Sequence, residues 1–424
     1  MIQFLLKGLL RDKSRSLLPV IVVSLGVSLT VLFTGYMKGA LNGSIEQNAN
    51  FDTGHLKVVT RAYAEEIAQK PMDLAMLGTT EIITDLEKQF PQMTWFQRIP
   101  FGGILDVADE NGLTKVQGTA SGLALDLSEN SNELDRLNLR NAITEGRLPQ
   151  NANEMLLGKG LIQRLKLKIG EEVTFFGSTM EGSMTSKNFN IVGVIGFGTK
   201  ALDNNTFMVD LKDVQGLLDM EDGCAEIIGF LPNDVYDHTK AKAVKVAFNQ
   251  SLEADTDEFA PKMLTLADQN GLEQIILISE GFGSMISFFF LIAMSIVLWN
   301  TGLLGGLRRY QEFGIRLALG ESKKAVYKTM LMEAALVGFI GSVFGTILGL
   351  LATAYLQYVG INISEFSSDS GGMLMADIIR GQFTPSQLYI GFIPGVLSNV
   401  FGAMLSARGI FQRQTSELFN ELGV

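Results

Sequence analysis

The sequence predicts a membrane protein with four transmembrane α-helices and one large α+β domain outside the membrane, carried on a helical stalk. Four apolar runs have the length needed to cross a bilayer, and roughly 240 residues between the first two runs suffice for a separate domain. Basic residues cluster on one side of the runs, as topology requires. Of the 424 residues, 47% are hydrophobic and only 19% are charged, so the chain is more apolar than an ordinary soluble protein.

The four apolar runs contain no charged side chain. They cover residues 17–36, 281–299, 334–359 and 388–407. Buried core helices of a large soluble protein are the alternative, but such helices are rarely free of charge over this length. The first run could also be a cleaved signal peptide, yet it exceeds the usual signal core and no small-x-small cleavage site follows. We therefore expect a signal anchor and four spans.

Charge asymmetry predicts the orientation of the spans. Four basic residues and one acidic residue lie at 7–15, and six basic and two acidic residues lie at 305–328, between the second and third runs. Lys and Arg are retained on the cytoplasmic side, so both segments should be cytoplasmic. The expected order is a cytoplasmic N-terminal segment (1–16), span one (17–36), an extracytoplasmic domain with stalk ends (37–278), span two (279–304), a cytoplasmic loop with a short helix (305–328), span three (329–358), an outer loop (359–385), span four (386–407) and a cytoplasmic tail (408–424).

The extracytoplasmic domain should combine strands and helices. Alternating patterns predict strands at 56–60, 104–107, 172–176, 190–194 and 206–209, and helical patterns lie at 80–89, 159–165, 211–219 and 237–251. Helical segments at 37–50 and 263–280 should form the two halves of the stalk. The domain holds most acidic residues, and the net charge of -11 argues against nucleic acid as a partner.

The residues that could carry chemistry do not form a recognisable catalytic or metal site. Cys224 is the single cysteine, which excludes an intramolecular disulfide and a multi-cysteine zinc site. We expect it to be a packed apolar residue. The two histidines, His55 and His238, should occupy surface or strand positions. No metal, cofactor or catalytic residue is therefore expected in this chain.

Two glycine motifs resemble nucleotide-binding sequences. Residues 196–201 (GFGTKA) follow a predicted strand, but we expect a turn and a strand rather than a helix afterwards, so the helix N-terminus that holds a pyrophosphate is missing. A hairpin connection is expected there. Gly158-Lys159 is followed by Gly160 instead of Ser or Thr, unlike a phosphate-binding loop. If ATP drives this protein, another subunit must bind it.

Small residues in the third and fourth runs predict how the spans pack. Gly341, Gly345 and Gly349 recur every four residues, and Ser398 and Gly402 repeat the spacing in the fourth run. Such stripes allow helices to approach closely. The runs offer no charged pathway of the kind that ion carriers contain. Helix association is therefore the expected role of these residues.

The loop between the second and third runs contains an amphipathic helical pattern. Leu307, Tyr310, Gly314 and Leu317 would lie on one face, and three arginines would lie off it. A short cytoplasmic helix of this kind can lie on anionic lipid headgroups or dock in a groove of a soluble protein. The pattern alone leaves both uses open.

Residues 309–320 (RYQEFGIRLALG) resemble the coupling-helix signature of the permease family that includes FtsX, MacB, LolC and LolE. The signature has a glutamate, a glycine two residues later and a closing Ala-Leu-Gly. Further similar segments are 53–56 (TGHL), which resembles lipoprotein-release permeases, and 145–149, 154–161, 167–171 and 190–196, which resemble the MacB-type periplasmic core domain. Glu333, immediately before the third run, fits the same family.

The resemblance implies a non-catalytic permease that works by mechanotransmission. A separate ABC ATPase dimer, carrying ATP and Mg, would grip the coupling helices of two permease chains, identical or paralogous, and move the stalks and outer domains. The residues implied as ATPase contacts are Glu312, Phe313, Gly314, Arg316, Leu319 and Gly320. Membrane lipids would surround the spans in the bacterial inner membrane, and the large domain would lie in the periplasm.

Three functions within this family remain open at the level of sequence. Lipoprotein extraction toward a periplasmic carrier is favoured by the TGHL segment and the size of the outer domain. Export of a periplasmic peptide or compound through a tripartite pump, as by MacB, is the second. FtsX-like signalling to a cell-wall hydrolase is the third, although FtsX outer domains are typically smaller. The tail at 405–422 lacks the family's proline and is less basic.

Overall fold

The computed structural model describes residues 13–108, 113–232, 235–252, 257–269, 271–307, 310–363, 374 and 376–412. The chain divides into two compact units. A membrane unit lies within Met1–Asn42, Ser279–Ile361 and Ile379–Val424, and an outer unit lies within Gly43–Ile278 and Asn362–Ile378. Most of the predicted N-terminal segment, and the tail beyond residue 412, lie outside the described residues.

Long helices dominate the membrane unit, and short helices alternate with strands in the outer unit. The helices are α1 (Lys13–Asn48), α2 (Arg61–Glu65), α3 (Thr79–Gln89), α4 (Asn132–Arg136), α5 (Leu139–Ala142), α6 (Lys159–Leu165), α7 (Lys200–Asn205), α8 (Leu211–Leu217), α9 (His238–Ser251), α10 (Leu272–Leu307), α11 (Tyr310–Ala318), α12 (Lys323–Val359), α13 (Gln387–Ile390) and α14 (Asn399–Gln412). The strands are β1 (Leu56–Thr60), β2 (Met76–Leu77), β3 (Thr94–Ala108), β4 (Thr114–Leu125), β5 (Ile143–Gly146), β6 (Glu154–Gly158), β7 (Glu172–Ser178), β8 (Met184–Ile195), β9 (Thr206–Asp210), β10 (Gly223–Cys224), β11 (Glu226–Phe230), β12 (Pro261–Thr265), β13 (Ile361–Asn362) and β14 (Ile378–Ile379).

Among the described residues, four helical segments are long and apolar enough to cross a membrane. They are Leu17–Thr53, Leu272–Thr301, Lys323–Val359 and Gln387–Ala407. The four predicted spans are thereby confirmed. With 36 residues, α1 is about 54 Å long at 1.5 Å per residue, which exceeds a hydrocarbon core of about 30 Å.

In the membrane unit, the glycine stripe of α12 packs against a valine stripe of α1. A Cβ added at Gly345 would lie 2.7 Å from the Cβ of Val27, and one at Gly341 would lie 2.6 Å from Cγ1 of Val23. The third pair repeats the arrangement, because a Cβ at Gly349 would lie 2.7 Å from the Cβ of Val31. Real side chains do not approach so closely, so the two backbones can meet only where α12 has glycine.

The fourth span changes its helical geometry part-way along. A π turn at Ile393–Ser398 separates α13 from α14 and contains Pro394, which has no N–H to donate to the helix. Before this turn ends, Gly395 lies against Val27 of α1, where an added Cβ would be 2.8 Å from Cγ2 of that valine. After it, Gly402 faces the backbone of Trp299 in α10. The π turn therefore lets one helix present glycines to two different neighbours.

The outer unit is built on a mixed sheet that partly closes on itself. Ten described strands pair in the order β12-β1-β11-β3-β4-β9-β6-β8-β5, and β7 pairs with both β3 and β8. Strands β3, β4, β9, β6, β8 and β7 consequently form a closed ring. Three rings at its centre pack edge to face or tilted, with centroids of Phe101, Phe175 and Phe207 5.2 to 5.9 Å apart. Such aromatic pairs add to the stability supplied by burial.

Most of the secondary structure predicted for the outer unit is confirmed. The five predicted strands all lie within observed strands, and the strand at Leu56–Thr60 has the predicted bounds. Two predictions are wrong. Residues 261–265 form β12, paired with β1, whereas a stalk helix was predicted from residue 263. Residues 200–205 form α7 after the GFGTKA motif, and β8 and β9 do not pair, so this segment is not a hairpin connection.

Candidate coupling site

The helix α11 lies between the second and third spans and ends in a glycine. The N–H of Glu321 donates to the carbonyl of Arg316 at 3.1 Å, and the N–H of Gly320 donates to the carbonyl of Leu317 at 3.1 Å. Together with a φ of 92° at Gly320, these two bonds form a Schellman motif. The helix stops here because a left-handed residue cannot continue it.

The next helix begins immediately after this motif. The side chain of Ser322 accepts a hydrogen bond from the N–H of Ala325, which caps α12. Leu317 packs against a cluster of Val326, Met330, Ala403 and Ala407 from α12 and α14. At Leu317, this side of α11 is thus covered by the third and fourth spans of its own chain.

A second face of α11 is presented to the surroundings. Glu312, Ile315, Arg316 and Leu319 follow one another at i, i+3, i+4 and i+7, so they share one side of the helix. Ile315 is 52% exposed and Leu319 is 83% exposed. Glu312 and Arg316 are half-buried. We call these four residues the coupling face.

The structure separates the residues that the sequence grouped as ATPase contacts. Glu312, Arg316 and Leu319 lie on the coupling face, whereas Gly314 is buried within the chain. Gly320 terminates the helix. The side chain of Phe313 lies outside the described residues. For a partner that approaches this helix, the structure therefore offers the coupling face and not the position of Gly314.

Ile315 was not predicted from the sequence as a member of this face. The apolar pattern through Tyr310, Gly314 and Leu317 indicated the opposite side of the helix, where Leu317 packs against α12 and α14. The spacing of four between Ile315 and Leu319 was the available signal, because residues four apart are neighbours on a helix. A mixed face of two apolar and two charged residues suits a protein groove better than a lipid surface, which favours a basic polar face.

The small residues that were predicted to pack the spans together do not all lie in close helix contacts. Gly341, Gly345 and Gly349 meet α1, and Gly402 meets α10. Ser398 ends the π turn and lines an apolar groove of about 310 Å³ together with Trp299 and Phe401. The glycines act in close packing, while Ser398 borders open space.

In the outer unit, the TGHL segment forms the turn between α1 and β1. Thr53 ends a π turn, and Gly54 has a φ of 63°, where a Cβ would lie 2.5 Å from Cγ2 of Ile228. The carbonyl of Thr53 accepts a hydrogen bond from Nε2 of Gln269 at 3.1 Å. Leu56 then opens β1. Only glycine fits the second position without strain, which gives this motif a structural role.

His55 in that turn is buried rather than exposed. Its Nδ1 accepts a hydrogen bond from the N–H of Leu231 at 3.1 Å, and its ring packs on Phe230 and Tyr236. Burial, and then the charge of Arg136, lowers the pKa of His55 to about 4. The imidazole is therefore neutral and structural at ordinary pH. Cys224 is buried too, as predicted, and burial raises the pKa of its thiol.

Buried ion pairs surround the start of β1. Lys57 Nζ lies 2.8 Å from Glu226 Oε2, and Arg98 Nε lies 2.6 Å from Glu133 Oε1, with both pairs almost fully buried. Burial raises the pKa of Glu133 although Arg98 opposes this change. Removal of one member of such a pair is strongly destabilising, because the remaining buried charge then has neither a partner nor hydration.

Asp52 belongs to the same region, and its pKa is lowered whereas that of Glu133 is raised. Burial would raise its pKa, but the charges of Lys57 and Lys70, a 2.6 Å hydrogen bond from Lys70 and the charge of Arg98 lower it to about 2. Asp52 therefore stays ionised at any pH that a cell meets. Nη1 of Arg98 in β3 also donates a 2.6 Å hydrogen bond to the carbonyl of Asn50, which links the π turn at Ala49–Thr53 to the sheet.

Two family models of known proteins match the chain. Residues 16–243 match the MacB-like periplasmic core domain, and residues 284–415 match the FtsX-like permease C-terminal domain. The first match covers more than half of the chain. The chain belongs to the FtsX/MacB/LolC family of ABC transporter permeases. The predicted family and fold class are confirmed, and the coupling face lies inside the FtsX-like match.

Individual relatives in this family share modest identity with the chain. A lipoprotein-releasing system transmembrane protein LolC from Neisseria meningitidis serogroup B is 23% identical over 250 residues, which are 56% of each chain. Macrolide export ATP-binding/permease proteins MacB from Pasteurella multocida and Bordetella avium are 30% and 29% identical over 122 and 111 residues. The chain matches 16% of the length of each MacB protein.

A solved structure of the periplasmic region of MacB from Actinobacillus actinomycetemcomitans is also similar. The match covers 54% of this chain and 95% of the MacB chain, with 14% identity and a TM-score of 0.36. The family assignment therefore depends on the sequence matches. Membership of this family implies an ATPase partner and a membrane protein with an extracytoplasmic domain.

Proposed function

We propose that this chain is a permease subunit in the bacterial inner membrane that couples ATP hydrolysis by a separate ATPase dimer to movement of its outer unit. Its cargo would be lipoproteins, extracted from the inner membrane toward a periplasmic carrier. A second permease chain, identical or paralogous, would complete the transporter, because each of the two ATPase subunits requires a coupling helix to bind.

The coupling face of α11 is the observation that carries this proposal. Ile315 and Leu319 are exposed apolar residues on a helix that packs through Leu317, on its other side, against α12 and α14. Exposed apolar residues framed by Glu312 and Arg316 are what a helix needs to enter a groove of a soluble partner. The ATPase would contact this face, and Gly320 would set where the helix ends.

The lipoprotein cargo is supported by the LolC relative and by the spans. The LolC protein is named as part of a lipoprotein-releasing system. The four apolar runs contain no charged side chain, so they offer no path for an ion or a polar solute. Mechanotransmission needs no such path, because the cargo is moved on the outer side.

Export of a periplasmic compound is the second candidate function. The observation that favours it is the match of residues 16–243 to the MacB-like periplasmic core domain, since the MacB relatives are named as macrolide exporters. An FtsX-like signalling role would use the same coupling face with another periplasmic partner.

Purification of the full chain from its native membranes in mild detergent tests these functions. We expect an ABC ATPase and lipoproteins to co-purify. An adaptor protein with an outer-membrane channel would favour export, and a peptidoglycan hydrolase would favour signalling. Recovery of the chain without any ATPase would refute the transporter assignment.

Variants of the coupling face give the sharper test of the mechanism. Ile315→Asp and Leu319→Asp should reduce ATPase association by about tenfold or more, since each buries a charge in an apolar contact. Leu113→Asp is the matched control, because Leu113 is 67% exposed and lies in the outer unit. Membrane insertion should be unchanged in all three variants. Wild-type association of both coupling-face variants would refute the assignment of this face.

A further inference from the structure

A cleft of about 610 Å³ in the outer unit has the features of a binding site that the coupling mechanism does not use. It lies between the edge strand β5, the helix α6 and the segment that leads to β7. This volume falls within the range of about 300–1,000 Å³ that is typical of ligand pockets. Its walls combine positive charge, apolar surface and a strand edge.

The positive charge comes from one short segment. Residues 159–168 contain Lys159, Arg164, Lys166 and Lys168 but no acidic residue. The three lysines line the cleft. This is unusual for the surrounding domain, since the chain as a whole has a net charge of -11. A cationic cleft in an acidic protein attracts anionic partners selectively.

Two of these lysines have no counter-ion within the described part of the chain. Lys159 pairs with Asp203, with Nζ 2.8 Å from Oδ2. Lys166 and Lys168 are exposed, and no described carboxylate lies within ion-pairing distance of either ammonium group. Glu145 is the one acidic residue among the described lining residues. The cleft therefore has positive charge available for a ligand.

The backbone at Lys166 is held in an unusual conformation. Its φ is 53°, in the left-handed region that glycine and asparagine normally occupy after a helix. This conformation ends α6 and directs the chain back along the cleft through Leu167, whose N–H donates to the carbonyl of Ile162 at 3.0 Å. Lys166 and Lys168 are thereby fixed at one wall.

The lining also includes Thr144 and Glu145 of β5, which is an edge strand of the sheet. Within the described residues, β5 pairs with β8 and with no other strand, and its residues Thr144 to Gly146 are largely exposed. An unpaired strand edge is a ready template for another strand. No lysine or proline blocks β5, which reads Ile-Thr-Glu-Gly. Ile162 and Ile169 add apolar surface to the lining of the cleft.

We propose that this cleft binds an extended acidic segment of a protein partner, which adds a strand to β5 and directs its carboxylates to Lys166 and Lys168. Alternate side chains of a strand point to opposite faces. In a segment that alternates acidic and apolar residues, the backbone would pair with β5 and all the acidic side chains would lie on one face of the added strand. That face would be directed to Lys166 and Lys168. Addition of a strand to a sheet edge is a common mode of peptide recognition.

A synthetic peptide of about six residues, alternating glutamate and valine, is a suitable probe because this is the length of a typical strand. Its binding to the full chain in detergent is measured by fluorescence anisotropy at low and high salt. The double variant Lys166→Glu/Lys168→Glu should weaken binding by about tenfold or more, since attraction becomes repulsion. The variant Glu145→Gln should strengthen binding, because it removes the one carboxylate that lines the cleft. Rising salt should weaken binding.

A matched control and a matched probe separate charge from strand pairing. Lys212→Glu/Lys242→Glu alters two exposed lysines elsewhere in the outer unit and should leave binding unchanged. The same peptide with alternate backbone nitrogens methylated keeps its charge but cannot form a ladder of hydrogen bonds, so it should bind at least about tenfold more weakly.

Three results would overturn the proposal. Equal binding to the wild type and to the Lys166→Glu/Lys168→Glu variant would remove the cleft as the site. Equal binding of the methylated peptide would remove the added strand. Binding of these lysines to phosphatidylglycerol vesicles, without binding of the peptide, would assign them to lipid instead. ATPase co-purification is independent of this cleft and should persist in every variant, so failure here is distinguishable from failure of the coupling assignment.

Discussion

Gly345 of the third span lies directly against Val27 of the first, so that a Cβ at 345 would be 2.7 Å from the Cβ of Val27 and 2.5 Å from the carbonyl oxygen of Ser24. One of these neighbours is backbone and cannot rotate away. The pair therefore fixes the spacing of the two helices. The packing of the membrane unit depends on this absence of a side chain.

Replacement of Gly345 by leucine should separate the first and third spans. We expect destabilisation of about 1–3 kcal/mol, because overpacking forces backbone shifts. Thermal unfolding of the full chain in detergent measures this change. Gly281→Leu is the matched control, since a Cβ at Gly281 meets nothing within 4 Å. Equal stability of the two variants would contradict the close contact.

Gly320 should tolerate asparagine but not valine. Its φ of 92° suits glycine, and asparagine enters the left-handed region far more readily than a β-branched residue does. We expect Gly320→Asn to retain ATPase association and Gly320→Val to reduce it, measured by co-purification. If Gly320 instead contacts the ATPase directly, both side chains should interfere equally.

His55 should make the outer unit less stable as the pH falls from 6.5 to 4. Between these values the unfolded chain binds a proton on this histidine while the folded chain, with a pKa of about 4, does not. The contribution of neutral His55 to the free energy of unfolding is fully present above pH 6.5. About 3 kcal/mol of it is lost when the pH reaches 4.

The variant His55→Asn tests this pH dependence. Asparagine can still accept the hydrogen bond from the N–H of Leu231 but cannot titrate. Unfolding of the full chain at several pH values, followed by tryptophan fluorescence, should show that the wild type loses more stability than the variant between pH 6.5 and 4. His238→Asn should behave like the wild type. Parallel curves for wild type and His55→Asn would disprove the assignment.

Removal of Arg98 should be far more damaging than removal of both members of its ion pair. Arg98→Met leaves Glu133 buried without its partner and should cost about 3–5 kcal/mol. The double variant Arg98→Met/Glu133→Leu should recover most of that loss, because a packed apolar pair replaces the ion pair. Thermal unfolding of the full chain, followed by tryptophan fluorescence, provides the measurement.

An exposed pair gives the comparison for this experiment. Lys88 and Asp85 are 3.0 Å apart, with side chains 71% and 78% exposed. Lys88→Met should change the stability by less than about 1 kcal/mol, because solvent screens the pair. A loss as large as that of Arg98→Met would show that burial does not determine the cost.

The spans were predictable from the sequence because length and apolarity alone define a bilayer crossing. The strand at Leu56–Thr60 was predictable because its residues are mostly β-branched or apolar and a glycine lies just before it. β12 was not. Its sequence, Pro-Lys-Met-Leu-Thr, has no strong strand preference, and pairing with β1 along its whole length decides its conformation. Long-range pairing of this kind leaves no local signal.

The role of α11 as the contact for an ATPase stays a prediction, and the structure adds detail to the surface that this helix offers. Resemblance located α11 and three members of its exposed face, Glu312, Arg316 and Leu319. It could not show that Gly314 is buried by the chain itself or that Ile315 completes the face. Which side of a short helix is covered depends on the neighbouring helices, and the packing of Leu317 against Val326 supplies that information here.

The π turn at Ile393–Ser398 makes the orientation of the fourth span sensitive to a single residue. Each residue advances an α-helix by about 100°, so deletion of one residue at this turn would rotate everything beyond it by roughly that angle. Gly402 would then swing away from Trp299, while Gly395 would keep its place beside Val27. An inserted or lost codon here would rearrange one contact of the bundle and spare the other.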